Sequence, residues 1–157
     1  MARFRIETRI AAPIELCFDL ARDIDFHTGS LESTGERAVA GRTTGLIGLG
    51  ESVTWEARHL GVRQQLTAEV TVFDRPTYFR DVMTAGAFRS FAHDHRFEVC
   101  DGNTIMIDDV EFQSPFGPLG KMVDFLFMTG YLRRLLEARS IVLKQEAEGR
   151  AQKENAP

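Results

Sequence analysis

Residues Phe91 to Phe112 read FAHDHRFEVCDGNTIMIDDVEF. Polar and apolar side chains alternate on both sides of Asp101-Gly102. That dipeptide suits a type I′ turn, whose two central residues both need positive φ. With Cys100 opposite Asn103, one face carries Val99 with Thr104, Phe97 with Met106, His95 with Asp108, His93 with Val110 and Phe91 with Phe112. The apolar members of this set mark the face as the core side, so the hairpin fixes its own register.

Working upstream, Tyr78 to Thr84 is a third strand across Ala85-Gly86-Ala87, and a pairing of Asp81 with His93 keeps Phe79 and Met83 inward. Glu51 to His59 and Val62 to Val72 alternate as well. Leu60-Gly61 between them places His59 opposite Val62 and Trp55 opposite Leu66. Glu36 to Thr44 reads as a further strand, and Phe4 to Ile10 opens the chain with apolar residues on one face. Between these two, Pro13 suits the first turn of a helix whose Ile14, Cys17, Phe18 and Ala21 share a face, and a small turn follows near Asp25 to Ser30.

Downstream, Ser114-Pro115-Phe116-Gly117-Pro118 breaks the last strand. From Leu119 to about Glu148 no proline interrupts a helical pattern, which gives a helix of about 45 Å at 1.5 Å per residue. Leu119, Val123, Leu126, Gly130, Leu135, Ala138 and Val142 are its expected inward stripe. Strand, small helices, a run of strands and one long helix predict an α+β helix-grip fold. A curved antiparallel sheet closes over the C-terminal helix and encloses a cavity. Residues 1–148 form one such domain, and the charged residues 149–157 are expected to fray.

The chain has 157 residues, of which 43% are hydrophobic, enough for one domain with a core. A net charge of −4 and a pI near 5.6 argue against nucleic acid, which is bound through clustered Lys and Arg. The run Met122 to Met128 contains Asp124 and is too short to span a bilayer, so no membrane insertion is expected. The opening residues lack an unbroken apolar leader, and Cys17 and Cys100 suit free buried thiols in a reducing compartment, so a cytoplasmic location is expected.

Ala12 to Leu20 followed by Asp23 and His27, Val53 to His59, Phe88 to Phe91, His93 to Phe97 and Pro115 to Gly120 together resemble the START-like (SRPBCC) superfamily. The match is to its polyketide cyclase/dehydrase branch, and within that to a bacterial group described as cell-division-inhibitor-like or ligand-binding. The resemblance runs from about Phe4 to Lys144. It implies a helix-grip cup. For function it leaves lipid carriers, receptors, cyclases and chaperone cofactors all open.

His93, His95, Asp108 and Asp81 are ionisable residues on inward positions, and buried charge persists only when paired or functional. Three roles compete for them: pinning the strand register, orienting the polar end of an apolar ligand, and acting as general acid and base in a cyclase or dehydrase. His-x-His with a carboxylate also resembles a metal triad, but hairpin spacing alone does not make three ligands converge. No metal and no cofactor are expected.

The expected ligand-binding set is Trp55, His59, Gln64, Met83, Phe91, His93, His95, Met106, Asp108, Leu126 and Gly130. The expected partner is a hydrophobic small molecule such as a lipid, isoprenoid or polyketide. Gly45 to Gly50 opens no helix and so is no dinucleotide loop. It reads as a mobile turn or as a lid carrying Leu46, Ile47 and Leu49. Phe125 and Met128 lie off the helix stripe, where they would close the entrance or form a homodimer patch. Arg133 and Arg134 read as a solvated helix face.

Overall fold

The computed structural model describes residues 1–31 and 34–157. Strand β1 spans Ala2–Ile10 and buries Phe4, Ile6 and Ile10. Helices α1 (Ile14–Ala21) and α2 (Ile24–Gly29) follow, and Asp23 caps α2 by accepting from the backbone N–H groups of Asp25 and Phe26. Then come β2 (Arg37–Gly41), β3 (Ser52–His59), β4 (Val62–Asp74), β5 (Tyr78–Ala85), β6 (Ser90–Cys100) and β7 (Asn103–Gln113). The strands form one antiparallel sheet in the order β1-β7-β6-β5-β4-β3-β2, so β1 closes on β7 and the rest meander.

Both tight turns have the expected chemistry. Leu60 and Gly61 have φ of 53° and 78°, and Asp101 and Gly102 have 50° and 76°, which is the type I′ signature. The register matches the reading of the sequence at His59 with Val62, Trp55 with Leu66, Asp81 with His93, and His95 with Asp108.

The C-terminal helical region differs from expectation. Helix α3 (Gly117–Val123) passes into a π-helical turn, Asp124–Met128, before α4 runs from Thr129 to Glu154. A π turn carries an extra residue and rotates everything beyond it about the helix axis. Most of the expected stripe therefore does not face inward: Leu119, Val123 and Leu126 are exposed, and so are Gly130 and Ala138, whereas Leu135 and Val142 are half-buried. Leu136, Ser140, Leu143, Ala147 and Ala151 are buried instead. Ala147 and Ala151 pack on the core, and the helix runs to Glu154, into the residues 149–157 expected to fray.

The core lies between sheet and helix. Phe18 of α1 sits in it, fully buried, edge-on to Phe73, Phe79 and Phe97 at 5.3 to 5.4 Å. Cys17 is buried there as a free thiol, and burial pushes it up to about 11. Cys100, expected to be buried, is exposed, because alternation along β6 puts it on the outer face with Glu98, opposite buried His93, His95 and Phe97.

Candidate functional site

The interior contains a cavity of ≈170 Å³ between β3, β4, the β5–β6 loop and α4. Its walls are mostly apolar: Ala57, Leu66, Phe88, Leu132 and Leu136 contribute, with Trp55 and Phe91 among the expected residues. His59 and Gln64 also line it, as the sequence suggested. Smaller cavities of ≈90 Å³ and ≈30 Å³ continue the interior toward α1 and α2 and share Trp55, Leu66, Leu136 and Arg139 with the large one.

His93 and His95, two apart on β6, point the same way and line both smaller cavities. Their rings lie 3.7 Å apart, centre to centre. His95 Nε2 is 2.9 Å from Asp81 Oδ2 and its Nδ1 is 3.1 Å from Asp108 Oδ1, while His93 Nε2 is 2.8 Å from the same Asp108 oxygen. Straight-across pairing gives His95 to Asp108. The other contacts are diagonals, which long side chains on one sheet face can reach. Met106 lines the ≈30 Å³ cavity beside Asp108.

Burial works against the charge on His95, but the hydrogen bonds to Asp108 and Asp81 outweigh it and push the imidazole up to about 9. The carboxyl of Asp108, against burial, is held well below its usual range by His93 and His95, and that of Asp81 is lowered by His95 in the same way. The two carboxylates thus favour the protonated ring of His95, a form that donates hydrogen bonds and does not accept a proton. Asp81, His93 and His95 offer ligand atoms within 4.8 Å of one another. They thus converge as the hairpin spacing alone could not establish. Both nitrogens of His95 are already engaged by carboxylates, so a metal would have to displace that proton.

Further polar residues face this interior that sequence reasoning did not select. His27 of α2 stacks on Trp55 at 4.5 Å, and its Nε2 is 3.4 Å from Glu36 Oε1. Arg139 of α4 donates to Glu36 at 2.6 Å, and its Nε is buried without a partner among the described residues. Burial, helped by Arg139, holds His27 well below the ordinary histidine value. At the other end of the large cavity His59 Nδ1 lies 2.8 Å from the Tyr131 hydroxyl, and burial lowers His59 too. The signal for Arg139 was its place between Leu136 and Leu143 on the buried stripe; the partners of His27 and Glu36 left no local signal.

Other expected residues fall elsewhere. Leu126 is 71% exposed and Gly130 is exposed with open space beside it, both carried away by the π turn. Met83 is half-buried over Gly86 and lines none of these three cavities. The loop of residues 45–50 is not a lid on the large cavity: it is tied to the α1–α2 junction by hydrogen bonds from Ile24 to Gly45 and from Ile47 to Arg22, which bury Ile47. Met128 lines the large cavity, whereas Phe125 is 83% exposed. Arg133 lies over the Phe4 ring and donates to the Arg5 carbonyl, so it is a packing residue, unlike the exposed Arg134.

A curved sheet gripping a helix around a partly polar hollow defines a class of protein, the helix-grip cup. No protein-family model matches the sequence, and no curated protein matches it either. Solved structures do. The Thermus thermophilus protein TTHA0849 superposes with a TM-score of 0.69 at 18% identity, over 99% of this chain and 100% of that one. Ara h 8.0201 gives 0.68 at 16%, over 93% and 97%. The major latex-like protein 151 of Panax ginseng gives 0.65 at 12%, over 93% and 97%. The chain therefore shares the helix-grip fold of these structures, as the order of its strands and helices predicted. No helix is long and apolar enough to cross a membrane.

Proposed function

We propose that the protein binds and carries a small hydrophobic molecule with one polar end. The observation that supports this best is the ≈170 Å³ cavity with apolar walls and a polar floor. A void of that size left in a core would cost stability through lost packing, so its retention favours an occupant. An engineered apolar cavity of about 150 Å³ holds benzene. The resting cup thus suits one ring or a short branched chain, such as a single isoprenoid unit or an aromatic polyketide ring.

The polar end would lie toward Arg139, whose Nε has no partner among the described residues and offers a donor to a carbonyl, hydroxyl or carboxylate. His95 contributes a fixed positive charge behind it. The cyclase/dehydrase alternative needs a base in this cluster, and a histidine that stays protonated to about pH 9 is a poor one.

Trp55 is the chain's single tryptophan and lines the cavity, so its emission reports occupancy directly. Titration with short isoprenoid alcohols and with monocyclic phenols is expected to shift Trp55 emission saturably. Ala57→Leu, which fills the cavity from β3, is expected to weaken binding by at least about tenfold while leaving the fold intact. Absence of any saturable response, together with native mass spectra showing an empty protein, would sink the proposal.

A further inference from the structure

The large apolar residues left in solvent are not scattered. Phe116, Leu119, Met122, Val123, Phe125, Leu126 and Phe127 are all exposed along α3 and the π turn, with Phe116 at 82% and Phe125 at 83%. Leu60 and Val62 at the tip of the β3–β4 hairpin are exposed as well. The two groups adjoin, because His59 reaches Tyr131, Phe127 stacks on Tyr131, and Leu60 shares the wall of the large cavity with Met128. This apolar surface therefore rims the place where the cavity wall reaches solvent. An exposed patch this continuous is rare on a protein that meets only water.

Three of the cations without an ion pair lie in or beside this region. Among the described residues, the lysines and arginines that form no ion pair are Arg58, Arg89, Lys121, Arg134 and Lys153. Arg89 follows Phe88 and Arg134 precedes Leu135, each next in sequence to a residue of the cavity wall, and Lys121 stands inside the apolar run; Arg58 lies on the opposite face of β3 from His59, and Lys153 at the far end of α4. From Ser114 to Leu136 the one acidic residue is Asp124, which is buried and accepts from the Ser114 backbone N–H. A chain of net charge −4 thus carries a positive, greasy end.

We propose that this end docks on an anionic lipid surface, with Phe116, Leu119, Phe125 and Leu126 among the upper acyl chains and Arg89, Lys121 and Arg134 against the headgroups. Apolar immersion and attraction of basic residues to anionic lipid act together in such peripheral binding, with no segment spanning the bilayer. A second copy of the chain fits the same face poorly, because its matching patch would bring cations with no exposed acid from that stretch to meet them. The inference rests on the cavity reading only for its purpose, which is loading the cup from the membrane through its mouth.

Cosedimentation with vesicles tests it. Vesicles of phosphatidylcholine with about one-third phosphatidylglycerol should bind the protein at least about tenfold more tightly than pure phosphatidylcholine, and high salt should erase that preference. Phe116→Ser/Phe125→Ser should weaken vesicle binding at least about tenfold. Lys121→Glu/Arg134→Glu should remove the anionic preference. Circular dichroism and the Trp55 response to soluble ligand should stay unchanged in both variants, because none of these side chains lines the cavity. If the cavity reading fails, the Trp55 response vanishes while vesicle binding persists. The docking proposal falls if wild type and Phe116→Ser/Phe125→Ser partition equally. It also falls if sedimentation shows a dimer that this variant dissociates, since the face would then belong to a second copy.

Discussion

At the residue scale, the interior is organised by one carboxylate. Asp108 Oδ1 accepts from both His93 and His95, and Asp81 takes the remaining nitrogen of His95. Removing one partner of a buried charged group leaves the others uncompensated, at a cost of about 3 kcal/mol. Asp108→Asn is therefore expected to lower stability by about that much in chemical denaturation. It should also bring the His95 titration, followed by NMR of the ring protons, down from about 9. An unchanged His95 titration would show that Asp81 alone holds the proton. The sequence disclosed much of this cluster, because Asp101-Gly102 dictates which residues oppose one another across β6 and β7. It did not disclose Glu36, His27 and Arg139, which meet across elements far apart in the chain. Alternation tells which way a side chain points and nothing of what another element brings to face it.

At the element scale, the meander was legible because each tight turn sets a register and a strand repeats every two residues. The helical region was not. A π turn leaves no period in the sequence, and Val123 and Leu126 read as part of a core stripe although both face solvent. What fixes the placement of α3 is close approach: a Cβ on Gly120 would lie 2.1 Å from the Pro115 carbonyl oxygen and 3.0 Å from that of Ser114. Both obstacles are backbone, so neither can rotate aside. Asp124 adds a second tie by accepting from the Ser114 N–H at 3.0 Å and from the Ser114 hydroxyl. Gly120→Ala is expected to cost about 2 to 3 kcal/mol, as overpacking does. It should also raise hydrogen exchange selectively in residues 117–128 over the sheet. Equal stability to wild type would mean that α3 is not anchored where it lies.

At the scale of the whole molecule, the burial of His27 and His59 and the pairing of His95 give folding a two-sided pH dependence. Burial holds His27 and His59 below their ordinary value of 6.5. Below that pH the unfolded chain binds more protons than the folded one at these sites, so stability falls as pH drops. His95 is the opposite case, raised from 6.5 to about 9. Its contribution is complete below pH 6.5 and is lost as pH rises through about 9, because across that window the folded protein holds a proton the unfolded chain has released. Asp81 and Asp108, both lowered, add a further loss only in strong acid, below the ordinary carboxylate value of 3.8. The melting temperature should accordingly peak near pH 6.5 and decline on both sides. Asp108→Asn should flatten the alkaline arm, since it releases His95 toward its unfolded value, while leaving the His27 and His59 acid arm in place. A melting temperature constant from pH 6.5 to 9 would mean that His95 holds no extra proton in the folded protein. The fixed charge assigned to the floor of the cup would then be lost with it.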